Sequence, residues 1–430
     1  MGDIDLSENP SKVRSLPEGW TVHSIKEIAH LNRANLNIQM NCPVIHYIDI
    51  DSVEEGMIKN IKDIELKSAP SRARRIVHDK DILISSVRPN LRHYCKIRSP
   101  RACTVASTGF VVLTAKGIDP DFLYYSITTR EFTNYLSAVA ETSTTAYPSV
   151  TADVIANYSI SCPRENEQKA IAKILSDLDS KIELNQKMNK TLEAIAQAIF
   201  KHWFIDFEFP NEEEKPYKSS GGEMVDSELG EIPRGWNIRK LGDLGKIVCG
   251  KTPSTKDETN FGQDVPFITI PDMRGNVFTF KTERYLSTKG ANSQETKFLP
   301  PLSVCVSCIA TPGLVTLTST TSQTNQQINS IICKEGLSPF FVYFVSKEKS
   351  QEIIYKGLGG TATLNLNTSE FSNLKVILPD LVTLKNFHDF TTQFFKKILN
   401  NSKEILVLFD IRDSLLPRLM TGKIRVPLEE

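Results

Sequence analysis

The sequence predicts an α+β protein with two tandem α/β domains, separated by two long helices that form an intramolecular antiparallel coiled coil with pseudo-two-fold symmetry. Three observations predict this fold class. The chain contains an internal duplication, the first part of each copy alternates short apolar runs with turns, and the second part of each copy carries a long heptad pattern.

The duplication is visible at a fixed separation of 216 residues. Leu16-Pro17-Glu18-Gly19-Trp20 returns as Ile232-Pro233-Arg234-Gly235-Trp236. The same separation pairs further positions: Thr145-Ala146 with Thr361-Ala362, Asn157 with Asn373, Pro163 with Pro379, and Asn185 with Asn401. The middle of each copy matches only loosely, which indicates one scaffold holding two different surfaces.

The first part of each copy is mixed α/β. Short apolar runs at Val44–Ile48, Asp81–Ser85 and Phe110–Leu113 are typical of strands. A helix then begins at Pro120 with Asp119 as its N-cap, and the second copy repeats this signal with Ser338 and Pro339.

The second part of each copy is one long helix. Neither Pro nor Gly occurs between Glu165 and Phe209, so about 37 residues can be helical. A single apolar seam cannot be buried by a lone helix, and the duplicate helix supplies its partner. The predicted domains are residues 1–163 and 211–379, and the predicted spacer helices are residues 164–210 and 380–430, the last including the tail. The two seams are Ile171, Leu175, Leu178, Ile182, Leu192, Ala196, Ile199 and Trp203, and Phe387, Phe394, Ile398, Ile405, Leu408, Leu415 and Leu419.

Asn185 and Asn401 interrupt these seams at equivalent heptad positions. They are either tolerated, partly solvated polar residues or residues that set the helix register. A buried Asn costs stability but disfavours slipped pairings, so the second interpretation is testable.

Composition limits the class of protein. The 51 basic and 51 acidic residues cancel, so nucleic-acid binding must depend on local patches. No run approaches ~18 apolar residues, and the acidic start Met1–Leu6 has no apolar signal core. We therefore expect a cytoplasmic protein without a membrane partner.

The CxxC pair Cys305/Cys308 lies in a strand-like run without a second ligand pair, which favours reduced core thiols over zinc.

Signatures of catalysis are missing, with one exception. We find no GxGxxG, HExxH or GxSxG motif and no dense acidic cluster, and we expect no catalytic residues and no metal site. Gly245–Thr252 matches GxxxxGK[ST], but its variable positions favour a strand and a polar loop follows it, where a phosphate-binding loop needs a helix. A P-loop nucleotide hydrolase therefore remains only an alternative.

Charge is uneven in the first copy. Residues 70–98 carry eight basic residues against two acidic ones. Arginine pairs bidentately with phosphate or guanine, and asparagine pairs with adenine. The candidate DNA-binding residues are Arg72, Arg74, Arg75, Arg88, Asn90, Arg92 and Lys96. The alternative interpretation is a solvated basic face or an intramolecular ion-pair surface.

The second copy offers more polar candidates in three loops, at residues 250–256, 272–276 and 319–327. They are Lys251, Thr252, Lys256, Arg274, Gln323, Asn325 and Gln326. Amides and hydroxyls of this kind can bond base edges or phosphates. They could equally form a hydrogen-bonded interior loop that orders a strand end.

Several of these segments together resemble a known family. They are the two Pro-x-Gly-Trp sequences, Gly250–Ser254, Asn325–Gln327, Pro163 with Gln168, and the closing run Leu415–Ile424. Over essentially the whole chain, the sequence is similar to the specificity subunit (HsdS) of type I restriction-modification systems.

The resemblance implies a non-catalytic subunit that recognises a bipartite target in double-stranded DNA, with one half-site for each domain. It also implies partners: two methyltransferase (M) subunits docked on the long helices, and restriction/motor (R) subunits. S-adenosylmethionine, ATP and Mg²⁺ would then belong to those partners, with no cofactor in this chain. A coiled-coil scaffold or adaptor without DNA specificity is the remaining alternative.

Overall fold

The computed structural model describes residues 16–37, 42–142, 148–357 and 365–427, so Met1–Leu6, Thr145-Ala146 and Thr361-Ala362 lie outside the described residues. The chain divides into two compact units, residues 1–181 with 408–430, and residues 182–407. Each unit therefore contains one α/β domain and one segment of each long helix.

The domain of the first unit is built on two four-stranded sheets, of order β2-β11-β8-β9 and β6-β3-β10-β7. Its strands are β1 (Thr21–Ser24), β2 (Ala29–Leu31), β3 (Val44–Ile48), β4 (Val53–Glu54), β5 (Met57–Ile58), β6 (Lys62–Glu65), β7 (Ala73–Ile76), β8 (Ile82–Ser85), β9 (Tyr94–Lys96), β10 (Thr104–Ser107), β11 (Phe110–Ala115) and β12 (Ser159–Cys162). Its helices are α1 (Ile25–Ile28), α2 (Pro120–Ile127), α3 (Arg130–Glu141) and α4 (Ala152–Asn157). The three predicted strands and the predicted helix are confirmed.

The long helix α5 (Glu165–Phe204) follows, and then the domain of the second unit. This domain has a five-stranded sheet, β16-β23-β20-β21-β18, and a three-stranded sheet, β19-β17-β22. Its strands are β13 (Met224–Ser227), β14 (Gly230–Pro233), β15 (Asn237–Lys240), β16 (Gly245–Cys249), β17 (Phe261–Ile268), β18 (Phe278–Thr279), β19 (Arg284–Leu286), β20 (Val304–Ser307), β21 (Val315–Thr318), β22 (Gln323–Thr324), β23 (Ile328–Cys333) and β24 (Lys375–Leu378). Its helices are α6 (Ile270–Met273), α7 (Thr288–Asn292), α8 (Pro339–Glu348), α9 (Ser350–Gly357) and α10 (Thr368–Ser372), and the second long helix is α11 (Leu381–Met420).

Helix capping sets the start of α2 and α8 as predicted. The Asp119 carboxylate accepts from the backbone N–H groups of Asp121 and Phe122, and the Ser338 hydroxyl accepts from Phe341. Proline at the first position sacrifices no hydrogen bond there, because that N–H has no partner within a helix. The same local signal therefore starts the equivalent helix in both copies.

The long helices α5 and α11 are 40 residues each, or about 60 Å at 1.5 Å per residue. They pack antiparallel in each unit. In the first unit, Asp179 of α5 accepts from Arg412 of α11 at 3.0 Å, and Glu167 pairs with Arg425, which lies just beyond the end of α11. In the second unit, Asn185 bonds Glu404 and Asn189 bonds Asn401, each at 2.9 Å. The residue number rises along one helix as it falls along the other.

A polar layer interrupts the helix seam in the second unit. Asn185 and Asn401 are each 1% exposed. Asn401 donates to the amide oxygen of Asn189, and Asn189 donates in turn to the hydroxyl of Ser402 at 3.1 Å. Slipping the helices by one turn would separate these partners and leave buried amides unpaired, which is costly. These bonds support the register-setting interpretation of the two asparagines.

A tyrosine fastens each domain to α5. Tyr125 of α2 donates to Asp179 at 2.7 Å in the first unit. Tyr343 of α8 donates to Glu193 at 2.7 Å in the second unit, and Lys347 reaches the same carboxylate oxygen. Burial raises the pKa of both phenols, so they remain donors at neutral pH.

We expect the double variant Asn185→Leu, Asn401→Leu to have a higher Tm but a less unique register. Leucine adds apolar burial, while the hydrogen bonds that penalise slippage are lost. Calorimetry gives the Tm, and crosslinking by a bifunctional thiol reagent between cysteines introduced at the exposed positions Lys187 and Lys403, level with the polar layer, reports the register.

The matched control is Asn400→Leu, the same exchange at an exposed position of α11. It should leave the crosslinking yield unchanged. If the double variant also crosslinks as fully as the parent protein, the polar layer does not set the register.

Candidate nucleic-acid interface

Three loops of the second domain leave the same edge of the five-stranded sheet. Strand β16 ends at Cys249, which pairs with Asn329 near the start of β23. Strand β20 ends at Ser307, which pairs with Ile328, the first residue of β23. The loops that follow Cys249 and Ser307 and the loop that precedes Ile328 are therefore neighbours.

Two of these loops carry residues predicted from the sequence, and backbone contacts hold them together. The Lys251 N–H donates to the carbonyl of Thr324 at 2.9 Å, and the Thr252 hydroxyl donates to the side-chain oxygen of Gln326 at 2.7 Å. Gly250 permits this close approach, because a Cβ atom there would lie 2.1 Å from the Asn325 carbonyl oxygen. The structure thus brings Lys251, Thr252, Asn325 and Gln326 to one site.

A buried amide network lies beneath this site. The Gln294 side chain donates to the Lys251 carbonyl at 2.8 Å and to the side-chain oxygen of Gln323 at 2.7 Å. Gln323 is 0% exposed, and its amide nitrogen donates to the carbonyl of Ala291. In this position Gln323 orders the loops from within, as the interior-loop interpretation anticipated.

The other predicted residues of the second domain differ in exposure. Lys251, Lys256, Arg274 and Gln326 are exposed. Asn325 is half-buried, and its side chain bonds both the amide and the backbone N–H of Gln327. Arg274 lies directly after α6, which follows β17, and so belongs to a different loop from Lys251.

In the first domain, Arg88 and Asn90 are exposed on the turn that follows β8. Arg88 adopts the left-handed conformation, with φ of 48°, and a single 3-10 turn covers Pro89–Leu91. Non-glycine residues seldom adopt this conformation, and such strain is concentrated at functional positions. The turn therefore presents an arginine and an asparagine on a defined backbone.

Two basic residues of the same region face inward. Arg92 donates to the Tyr94 hydroxyl at 2.8 Å and to the carbonyl of Thr128. The side chain of Lys96 is 10% exposed and pairs with Asp121. The intramolecular ion-pair interpretation describes these two residues better than a DNA-facing one.

Three arginines lie before and on β7. The bonds of Arg72 to Tyr47 and Asp49 raise its pKa, while partial burial lowers the pKa of Arg75, which donates to Asn35 at 2.9 Å. Arg74 is exposed. A turn at residues 108–109 links this group to the Arg88 turn: the N–H of residue 108 donates to Arg72, and the carbonyl of residue 109 accepts from Ser86.

Sequence reasoning missed Gln294 and Asn35. Each acts through residues more than 25 positions away along the chain, and neither lies in a charged or glycine-rich segment. No pattern in the sequence indicates such a network, because only the tertiary fold brings its members together.

The P-loop match does not have the context that phosphate binding needs. Gly245–Cys249 is strand β16, and the residues after Thr252 form a loop that reaches only a 3-10 turn at Glu258–Asn260. A phosphate-binding loop must lead directly into a helix N-terminus. The geometry at Lys251 is instead that of a polar surface loop.

The cysteines divide into two groups. Cys305 and Cys308 are free and buried, and burial raises their pKa values to about 12 and about 11. Cys42 and Cys103 form a disulfide, which the sequence did not predict.

Within residues 16–37, 42–142, 148–357 and 365–427, no group of three metal-ligating side chains is found. In the same ranges no helix combines the length and apolarity that crossing a bilayer requires.

Comparisons with known proteins agree with this duplicated fold. A family model, Methylase_S, described as the type I restriction modification DNA specificity domain, matches residues 17–194 and 233–408. The type I restriction enzyme HindI specificity subunit of Haemophilus influenzae is 37% identical, covering 94% of this chain and 99% of the relative. The MjaIX specificity subunit of Methanocaldococcus jannaschii is 27% identical, covering 96% and 95%. The fold also resembles that of a type I restriction-modification S subunit from M. genitalium, with a TM-score of 0.57 at 13% identity over 94% of this chain and 98% of that one.

Two tandem α/β domains with paired long helices define the class of protein as a duplicated two-domain scaffold. The chain belongs to the family of type I restriction-modification specificity (HsdS) subunits. It is a DNA specificity subunit and a non-catalytic component of its complex.

We expect Gln294→Ala to destabilise the second domain by about 1–3 kcal/mol, because it leaves the buried amide oxygen of Gln323 without its donor. Urea denaturation measures the loss. Amide hydrogen exchange should increase selectively in residues 250–256.

The exposed neighbour Asn292 supplies the control. Asn292→Ala should change neither the urea midpoint nor the exchange rates. Equal behaviour of the two variants would show that the Gln294 network does not order the loop.

Proposed function

We propose that this specificity subunit recognises a bipartite target in double-stranded DNA, with one half-site contacted by each domain. The observation that carries the proposal is the grouping of exposed arginine, lysine and amide side chains on the loops at one sheet edge of each domain. Base edges in the major groove are recognised by such groups, while phosphate contacts position the protein.

The first domain supplies the more basic surface. Arg88 and Asn90 lie on the turn after β8; Arg72 lies just before β7 of the neighbouring sheet, and Arg74 lies on β7. Arg88 has the reach for bidentate contact with guanine, and Asn90 has the donor and acceptor pair for adenine. We assign base contacts to the Arg88 turn and phosphate contacts to the arginines near β7.

The second domain supplies a more polar surface. Lys251 and Lys256 provide charge for phosphates, and Thr252 with Gln326 provides a bonded hydroxyl–amide pair. Arg274 is assigned to a separate phosphate contact from its own loop. The two domains thus differ in charge, as an asymmetric target requires.

The partners in this proposal are two methyltransferase subunits, with restriction/motor subunits joining for cleavage. We assign their docking to the long helices within the second unit, where large apolar side chains are exposed: Leu184, Ile195, Phe390 and Val407. Apolar residues on a solvent-facing helix surface are typical of protein interfaces. S-adenosylmethionine, ATP and Mg²⁺ are assigned to these partners, and the complex to the cytoplasm.

We expect Arg88→Ala to alter recognition of one half-site only, at a cost of about 1–3 kcal/mol if the arginine contacts a base. The variant is co-expressed with its methyltransferase, and the methylated sites are mapped by single-molecule sequencing. One half of the methylated sequence should relax while the other half is retained.

Lys116→Ala is the matched control, because Lys116 is an exposed cation of the same domain that follows the end of β11, at the opposite end of the sheet from Ser85 and the Arg88 turn. It should preserve the methylated sequence. An unchanged sequence and affinity for Arg88→Ala would remove the turn from the proposed interface.

We expect the isolated chain to bind DNA weakly and with strong salt dependence. Its charges cancel, and affinity for DNA depends on the number of phosphates neutralised. Fluorescence anisotropy at several salt concentrations, with and without the methyltransferase, measures the difference. Nanomolar specific binding by the isolated chain at physiological salt would contradict this dependence on a partner.

A further inference from the structure

The two domains contain the same turn at the same place in their sheets. In the first domain it follows β8, a fully buried strand that ends at Ser85. In the second domain it follows β20, a fully buried strand that ends at Ser307. The antiparallel strand order β2-β11-β8-β9 corresponds to β16-β23-β20-β21, so β8 lies beside β11 as β20 lies beside β23; the second sheet adds β18, which is parallel to β21.

Matched hydrogen bonds fix both turns. The residue after each strand donates its N–H to the carbonyl just before the neighbouring strand: Ser86 to Gly109 at 2.9 Å, and Cys308 to Gln327 at 2.8 Å. The same two residues accept from a distant segment, Ser86 from Val150 at 2.9 Å and Cys308 from Leu366 at 3.0 Å.

The hydroxyl of the last serine of each strand both donates to and accepts from the backbone of the loop that follows, over a longer span in the second domain. The Ser85 hydroxyl donates to the carbonyl of Val87 and accepts from its N–H. The Ser307 hydroxyl donates to the carbonyl of Thr311 and accepts from the N–H of Leu314. An isolated bridge then joins Val87 to Ser149, and another joins Ile309 to Asn365.

The third residue after the serine is left-handed in both turns. It is Arg88 in the first domain, with φ of 48°, and Ala310 in the second, with φ of 64°. Both residues are exposed. The conformation is strained for a non-glycine residue and persists only where the surroundings impose it. The left-handed conformation therefore occurs at the same position in both domains although the side chains differ. This indicates that the backbone conformation is shared and the side chain is variable.

The second turn also lies at the proposed DNA surface. Cys308 bonds directly to Gln327, which is bonded in turn to Asn325. The turn therefore adjoins the Asn325–Gln327 loop, which contacts the Lys251 loop. No sequence pattern selects Ala310, because the alanine side chain carries no hydrogen-bonding group.

We propose that the turn at residues 309–311 contacts DNA and that Ala310 is a specificity-determining residue for the second half-site. This inference rests on the proposed function. At the position where the first domain presents a guanidinium, the second presents a methyl group. A small apolar side chain fits closely against a base edge without a donor, such as the thymine methyl group, and excludes no base by charge. The equivalent turns of the two domains thus recognise different half-sites, because one presents Arg88 and the other presents Ala310.

The test is Ala310→Arg in the full specificity subunit, co-expressed with the methyltransferase, with methylated sites mapped by single-molecule sequencing. We expect the second half-site to change, or methylation of the original sites to fall at least tenfold, while the first half of any remaining consensus is unchanged. Ala310→Asn is made in parallel, because asparagine tolerates the left-handed conformation and keeps the variant folded.

Two control variants distinguish a changed DNA contact from an effect of backbone strain or of added positive charge. Ala310→Gly suits the backbone and adds no group, so it should retain the original sequence. Glu335→Arg adds positive charge to the same domain beyond the end of β23, at the opposite sheet edge from Ser307, and should also retain it.

The outcomes are distinguishable. If Ala310→Arg and Ala310→Asn both fold, as judged by Tm, and both methylate the original sequence at the original level, the turn is not at the interface and the inference fails. Equal effects of Ala310→Arg and Glu335→Arg would also overturn it. If Arg88→Ala alters its half-site under the same conditions, the proposed function stands even though this inference fails; if the parent complex shows no sequence-specific methylation, both fail.

Discussion

The structure depends on the burial of one apolar seam. A 40-residue helix with a single apolar stripe leaves that stripe in water unless another helix covers it, and α5 and α11 cover each other. Each unit then adds its domain to the pair: Phe200 packs with both Phe341 and Phe387 in the second unit, and Ile171 and Leu419 belong to the core of the first. Core formation in each domain is therefore inseparable from helix pairing.

Polar contacts restrict the apolar pairing of α5 and α11 to one register. Apolar seams alone tolerate sliding, since leucine meets leucine in several registers. The asparagine layer, the Asp179–Arg412 pair and the tyrosines on α2 and α8 each require one register and one domain orientation on the helix. Each such contact is worth little in net free energy, but leaving its buried partners unpaired is costly, and this asymmetry is what makes the arrangement unique.

The two duplicated domains share their buried framework but differ in their exposed side chains. The capped helices, the buried strands and the hydrogen bonds that close the turns after β8 and β20 occur in both domains, while the exposed side chains on those turns differ. Packing resists change because close-packed interiors respond to single methylene groups, whereas exposed side chains can vary with less effect on the fold. The shared framework can therefore be kept while the exposed side chains of the turns differ.

The sequence by itself determined the duplication, the capped helices, the strands expected at residues 44–48, 81–85 and 110–113, and the long antiparallel pair, because each is set by local spacing or by the period of the apolar residues. It also identified the loops at 85–94 and 250–256 by their charge and glycine. Only the tertiary structure decided that Lys96, Arg92 and Gln323 face inward, that Gln294 supports Lys251, and that Ala310 stands where Arg88 stands. Exposure and hydrogen bonding depend on which distant segments meet, and a linear pattern of residue types does not record that.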